Sequence, residues 1–284
     1  MRVSLQDTVV LITGASSGIG EALAHELARL PAPDAPRSLL LVARRTDRLE
    51  ALKQTLLKTN PRLTVVVYSC DLVDRAATDL FLETALKENE RIDILINNAG
   101  FGVGGLFDLA AWDSIENMLT LNMLTLAYLT HRLVPAMIKR GRGGVLNVSS
   151  GYGLVFGPSM AGYIGTKHFV TGFTEGLRLD LTGTGVGVTQ VLPGPTRTEF
   201  SQAMAKVSAT TQRVHIPEFI RCTAEHCARV AIQGLRNGRA RVIPGFWMNV
   251  LLRTSKFLPL WLVRWVMSGR AENFRESQAS APIV

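Results

Sequence analysis

Short runs that are apolar at nearly every position alternate along this chain with longer segments whose apolar side chains recur every three or four residues. The first kind occurs at Thr8–Thr13, Leu39–Ala43, Leu63–Ser69, Ile92–Asn97, Val145–Ser149, Val186–Leu192 and Arg241–Ile243. The second kind covers Glu21–Leu30, Arg48–Leu57, Ala76–Leu86, Ser114–Met137 and Gly162–Leu181. Strand side chains alternate between faces, so a strand that is apolar throughout is covered on both. Strand-then-helix alternation of this kind predicts an α/β fold with a doubly wound parallel sheet and right-handed crossovers. Ligands on such sheets bind beyond the carboxyl ends of the strands, so the chemistry belongs where these runs stop.

Three stretches depart from the pattern. Pro31-Ala-Pro-Asp-Ala-Pro36 predicts a stiff surface connection ahead of the second strand. Residues 199–220 carry helix formers and apolar side chains without a strand signal. Residues 246–284 form a C-terminal extension in which bulky apolar and Trp residues alternate with Arg253, Lys256 and Arg264. We therefore divide the chain into a main domain at 1–245 and an apolar, basic extension at 246–284.

With 284 residues the chain can bury one sizeable core. The formal charge of +8 raises nucleic acid as a partner. The cations are spread along the sequence, however, with no aromatic-interleaved stripe or helix-turn-helix pattern, and that argues against it. Cys70, Cys222 and Cys227 make no disulfide framework and lack the His-rich context of a metal site; the last two suit a helix core. Few cysteines, and a start that runs straight into a strand pattern, lead us to expect a cytoplasmic protein.

Thr13-Gly-Ala-Ser-Ser-Gly-Ile-Gly20 joins the first strand to the first helix. Gly14, Gly18 and Gly20 let the backbone turn tightly and approach a pyrophosphate closely, with Ser16, Ser17 and Ile19 between them. The helix amino terminus adds unpaired N–H groups and a positive dipole end. The trio alone also suits a plain tight turn; its place between strand and helix favours the phosphate reading. The second strand ends in Ala43-Arg44-Arg45. An acidic side chain there would read a free ribose 2′-OH, whereas arginines suit a 2′-phosphate, so the expected cofactor is NADP(H). Asp71, in Cys70-Asp71-Leu72 at the end of the third strand, suits either a helix cap or an acceptor for the adenine amino group.

Asn97-Asn98-Ala99-Gly100 ends the fourth strand, and Asn122 lies in the helix after it. Ser149-Ser150-Gly151 ends the fifth. Tyr163 follows Ser150 by thirteen residues and precedes Lys167 by four, which puts Tyr163 and Lys167 on one helix face. Each has an ordinary explanation: a turn serine, an interface aromatic, a solvated lysine. Together, at these spacings and at strand ends, they form a constellation.

In that order the motifs closely resemble the short-chain dehydrogenase/reductase family from about Asp7 to Ile243. The matching features are Thr-Gly-x-x-x-Gly-Ile-Gly, Asp71-Leu72, Asn-Asn-Ala-Gly, Ser150 with Tyr163 and Lys167, and Pro193-Gly194-x-x-x-Thr198. The resemblance implies a single Rossmann-like domain with seven parallel strands and a tetrad of Asn122, Ser150, Tyr163 and Lys167. It also implies that 1–245 is the catalytic domain, that Asn98, Ala99, Gly100 and the segment with Pro193, Gly194, Thr196 and Thr198 line the cofactor, and that a lid near 199–220 closes over the substrate. In this scheme Asn122 anchors a water that links Lys167 to solvent. A homodimer or homotetramer follows from the resemblance alone. Gly165-Thr166 before the lysine and the long 31–37 loop are departures that leave the tetrad untouched.

The chemistry also stands on its own. Reducing a carbonyl needs a proton at oxygen as hydride reaches carbon, and free tyrosine, with a pKa of about 10, exchanges protons poorly near neutrality. A nearby ammonium favours tyrosinate. Ser150 can polarise the substrate oxygen, and Lys167 can hold the nicotinamide ribose. A serine hydrolase would need a positioned base, and His25, His131, His168, His215 and His226 offer no nucleophile-elbow context.

We therefore expect a reductase of a lipophilic, steroid-like or acyl-chain, ketone or aldehyde. A non-catalytic NADP(H) sensor acting through the basic tail is the rival. In the tail, Pro259 and the cations argue against a spanning helix. The stretch 246–267 suits a subunit interface, contact with a membrane surface, or a cap over the substrate.

Overall fold

The computed structural model describes residues 1–196, 199, 221–255 and 257–279. Seven parallel strands lie in the order β3-β2-β1-β4-β5-β6-β7. They are β1 (Val9–Thr13), β2 (Ser38–Ala43), β3 (Thr64–Ser69), β4 (Ile94–Asn97), β5 (Gly143–Val148), β6 (Val186–Val191) and β7 (Arg241–Val242). Helices α1 (Gly18–Ala28), α2 (Thr46–Thr59), α3 (Arg75–Glu88), α4 (Trp112–Leu119), α5 (Leu126–Lys139), α6 (Ala161–Asp180) and α7 (Ala224–Arg236) flank the sheet. The chain runs outward from β1 to β3, then returns to place β4 on the other side of β1. That reversal opens a crevice beyond the ends of β1 and β4, where the glycine loop and Asn98–Gly100 sit.

Every residue of β1, β2, β4 and β6 is buried, as strands covered on both faces require. One apolar cluster joins α1, α2 and α7 to the sheet, and a second joins α3 and α5 to the opposite face. Cys227 is fully buried within α7, and Cys222, also buried, precedes that helix.

The long helix expected over 114–137 is α4 and α5 joined by a π-helical stretch, Thr120–Thr125, that contains Asn122. The extra residue in a π turn breaks the regular ladder and turns side chains to new directions, and such bulges recur at functional sites.

The extension forms α8 (Phe246–Ser255) and α9 (Leu260–Ala279). Met248 and Leu252 are buried. A Cβ placed on Gly194 would lie 2.6 Å from Met248 Cε, and one on Gly151 would lie 3.5 Å from Leu252 Cδ1, so α8 packs directly beneath the site loops. Farther on, Phe257, Leu258, Trp261 and Trp265 are exposed. Arg275 of α9 pairs with Asp108 through two hydrogen bonds, of 3.0 and 3.1 Å. No described helix is long and apolar enough to cross a membrane. Thr198, and the expected lid apart from Glu199, lie outside the described residues.

Candidate active site

At the end of β1 the Thr13 hydroxyl accepts from the backbone N–H groups of Asn98 and Ala99, both at 3.0 Å. Asn98 Nδ2 donates to the Thr13 and Gly14 carbonyls at 2.9 and 3.1 Å. Asn98 is thus a brace that ties the β4 end to the glycine loop. Gly14 and Gly18 hold φ of +67° and +61°, which a residue with a Cβ rarely adopts. A Cβ on Gly20 would stand 2.3 Å from the Gly14 carbonyl oxygen, so this contact requires glycine. Ser17 caps α1 without a side-chain hydrogen bond to its first turn, which leaves those N–H groups to another acceptor.

Arg45 leans onto that same loop. Its Nη2 donates to Ser17 Oγ at 2.8 Å and to Ser16 Oγ at 3.1 Å. A guanidinium at the positive end of a helix is electrostatically adverse unless an anion shares the place. Glu199 supplies one here: its Oε2 lies 2.9 Å from Arg45 Nη1, and its Oε1 accepts from Arg48. These bonds, Arg48 first, hold the Glu199 carboxyl down at about 2. Neither Arg48 nor Glu199 stood out in the sequence. Arg48 is one turn past Arg45, but Glu199 is distant in the chain. Arg44 points outward, 3.9 Å from Asp71. Asp71 accepts from the Val73 N–H, while the cap of α3 is Asp74, which accepts from the Ala77 N–H; the capping role considered for Asp71 therefore belongs to its neighbour. Leu72 is buried, and its carbonyl accepts from the Thr125 hydroxyl at 2.7 Å.

Beyond β5, Ser149 and Ser150 do different work. Ser149 Oγ is buried against the Lys167 carbonyl and Thr171 Oγ1, at 3.1 and 2.9 Å, and seats α6 on the sheet. Ser150 caps a short 3-10 turn at Gly151–Gly153, accepting from the Tyr152 N–H at 3.2 Å. The Gly151 N–H donates to the Pro193 carbonyl at 2.8 Å, which joins this loop to the β6 end. Thr196 Oγ1 folds back onto the Gly194 carbonyl at 2.9 Å.

Tyr163 and Lys167 lie one turn apart on the buried face of α6. Burial pushes the phenol well up, and a hydrogen bond with Ser150 offsets part of that. Burial also lowers the Lys167 ammonium to about 8. Its Nζ donates to the Val148 carbonyl at 3.1 Å, and among the described residues no carboxylate pairs with it. A buried ammonium in this state has donors left for hydroxyl oxygens.

Asn122 is held by three hydrogen bonds: Nδ2 donates to the Phe101 carbonyl at 2.8 Å and to Thr166 Oγ1 at 3.1 Å, and Oδ1 accepts from the Phe101 N–H. A Cβ on Gly100 would lie 2.8 Å from Asn122 Oδ1 and 3.8 Å from Lys167 Nζ, so this asparagine stands close to the lysine. Beside Tyr163, Val103, Phe107, Met118 and Gly162 line a crevice of about 10 Å³, room for no more than a water. Tyr152 meets the Tyr163 ring edge-on at 6.2 Å between centres. His168 turns back to the Ile164 carbonyl. Among the described residues no cluster of His, Cys, Asp and Glu could hold a metal.

A sequence profile of the short chain dehydrogenase family matches residues 8–208. Human dehydrogenase/reductase SDR family member 7 is 32% identical, over 95% of this chain and 81% of its own. A short-chain dehydrogenase from Sphingobium yanoikuyae, solved in complex with NADPH, superposes with a TM-score of 0.74 at 31% identity, over 98% of both chains. The bulky-bulky ketone specific alcohol dehydrogenase from Comamonas testosteroni gives 0.71 at 29%, over 89% of this chain and 93% of its own. With the profile spanning most of its length, this chain belongs to the short-chain dehydrogenase/reductase family of oxidoreductases.

Proposed function

We propose that this chain is an NADP(H)-dependent reductase that converts a lipophilic ketone or aldehyde to its alcohol, with Tyr163 as proton donor. The observation that carries the reading is the burial of Tyr163 and Lys167 side by side on α6, with Ser150 hydrogen-bonded to the phenol. Nicotinamide, when bound, supplies or accepts the hydride. Ser150 Oγ holds and polarises the substrate oxygen, and the Tyr163 hydroxyl delivers its proton to that oxygen. The raised phenol is protonated at neutral pH, which is the state a reductase needs. Lys167 holds the ribose hydroxyls, and its charge eases loss of the tyrosine proton. Asn122, close to Nζ, anchors the route by which that proton is replaced.

Gly14, Ser16, Ser17, Gly18, Ile19 and Gly20 would hold the pyrophosphate at the α1 amino terminus. Arg45, with Arg44 and Arg48 nearby, would take the 2′-phosphate. Ala43 supports this, since no carboxylate stands at the end of β2 to read a free 2′-OH. Asp71, Leu72, Asn98, Ala99 and Gly100 would line the adenosine side. Pro193, Gly194, Thr196 and Thr198 would line the nicotinamide end.

The exposed edge of Tyr152 beside Tyr163, with Val103 and Met118 packed against the Tyr163 ring, favours a lipophilic substrate. The Comamonas protein, named for bulky ketones, is consistent with that. Residues 1–245 would form the catalytic unit, with 199–220 over the substrate. The exposed Trp and Phe side chains of 246–267, with Arg253 and Arg264, suit the surface of an anionic membrane. A homodimer or homotetramer accords with the family.

The test is NADPH oxidation against carbonyls graded from short polar compounds to steroids and long acyl chains, with Tyr163→Phe alongside. Turnover that rises with hydrophobicity and disappears in the variant supports the reading. Binding of NADPH without turnover of any compound, in either direction, would instead point to a sensor.

A further inference from the structure

We propose that Glu199 is a built-in competitor for the cofactor's 2′-phosphate, holding Arg45 and Arg48 in the free chain and setting how strongly NADP(H) is preferred. The inference rests on the NADP(H) reading above and adds a residue that lowers the affinity of that same site.

The geometry has three parts. The Arg45 guanidinium is fixed by Ser16 and Ser17, at the amino terminus of α1, where a second positive charge demands an anion. Glu199 answers that demand with both carboxylate oxygens, one on Arg45 Nη1 at 2.9 Å and one on Arg48. A phosphate monoester presents the same pair of acceptor oxygens to the same fork of donors. Carboxylate and phosphate therefore cannot both use these donors, and two anions there would repel. Glu199 follows Pro193-Gly194 in the chain, so the competitor comes from a segment far in sequence from the arginines it holds.

The consequence for affinity has a definite sign. In the wild-type chain a 2′-phosphate must break the Glu199 pairs before it makes its own. A dinucleotide without that phosphate leaves Glu199 in place and incurs no such cost. Glu199 thus weakens NADPH binding and leaves NADH binding unchanged, a penalty confined to one cofactor. All partners are partly exposed, so the effect is moderate.

The experiment is calorimetric titration of the full-length wild-type chain and of Glu199→Gln with NADPH, NADH, 2′,5′-ADP and 5′-AMP. Thermal melts of both proteins establish that each is folded. The variant is expected to bind NADPH and 2′,5′-ADP on the order of three- to tenfold more tightly, with NADH and 5′-AMP unchanged. Repeating the NADPH titration across salt gives a second readout. Affinity should fall more steeply with salt in Glu199→Gln, because pairs then form without others breaking. Unchanged or weaker NADPH binding in the variant overturns the inference, as does equal tightening for NADH. Failure of the underlying reading looks different: wild-type chain would then bind 2′,5′-ADP no better than 5′-AMP, and the inference falls with it.

Discussion

Lys167 Nζ lies 5.7 Å from the centre of the Tyr163 ring, and burial drives the two ionisations apart. The phenol is pushed up and the ammonium comes down to about 8. The resting pair is thus neutral tyrosine beside a lysine that is still largely charged at pH 7.

That state should make the two directions of reaction respond oppositely to pH. Reduction uses a tyrosine proton that the raised phenol keeps throughout this range, so it should hold level while Lys167 is charged and fall above about 8, whereas oxidation needs the proton gone and should climb. Profiles of kcat/KM from pH 6 to 10 in both directions check this; parallel profiles would refute it. Tyr163→Phe should lose roughly a hundred- to ten-thousand-fold in both directions, while NADPH binding changes little.

The buried lysine should also cost stability. Moving its pKa from 10.5 to about 8 penalises the charged form by roughly 3 kcal/mol. Below about 8 both folded and unfolded chains are protonated and the whole penalty applies. Between about 8 and 10.5 the unfolded chain binds more protons, so stability rises with pH. Lys167→Met should therefore be more stable at pH 7 by about 1–3 kcal/mol, yet inactive. Melting temperatures across pH 7–9.5 would show the rise in wild-type chain and a flatter line in the variant.

Arg45 and Arg44 should prove unequal. Arg45 is seated on the glycine loop and Arg44 faces solvent. Arg45→Ala is expected to weaken NADPH binding by on the order of ten- to a hundredfold, with a far smaller effect on NADH. Arg44→Ala should cost less for NADPH. Fluorescence titration with both dinucleotides decides between them, and equal losses for the two cofactors would remove Arg45 from the phosphate site.

Gly20→Ala should abolish cofactor binding. Its new methyl would meet the Gly14 carbonyl oxygen at 2.3 Å, and a backbone atom in a fixed loop cannot yield cheaply. Gly165→Ala, on the same helix as Tyr163 but with open space around its Cβ position, should leave binding intact. Calorimetry with NADPH on the two variants checks the contrast.

The exposed face of the tail gives a final expectation. Trp261 and Trp265 are exposed on α9. Replacing both with alanine should reduce partition into anionic vesicles several-fold or more, since each buried indole contributes on the order of 2 kcal/mol. Ketone turnover in solution should be unaffected. Equal partition of the two proteins would exclude membrane contact through this helix.

The sheet was legible because seven nearly continuous apolar runs leave little else for a chain of this length to build. The places of Ser150, Tyr163 and Lys167 followed from strand ends and a four-residue spacing. The π stretch around Asn122 did not, because its apolar periodicity reads as one unbroken helix from Ser114 to Met137. Glu199 was hidden for a different reason: its partners, Arg45 and Arg48, are 154 and 151 residues away, and only the folded sheet brings β2 and the segment after β6 together. The extension at 246 looked separable because composition changes there. Composition does not reveal that Met248 and Leu252 are already inside.

That last contact decides where this molecule can be cut or exchanged. With Met248 against Gly194 and Leu252 against Gly151, the first tail helix is the floor on which the Ser150 loop rests. A truncation after Gly245 would remove that floor together with any anchor, and a loss of activity would be blamed on the wrong part. Chimeras that swap tails between relatives should join beyond Ser255, so that the graft carries the outer surface and leaves the foundation in place.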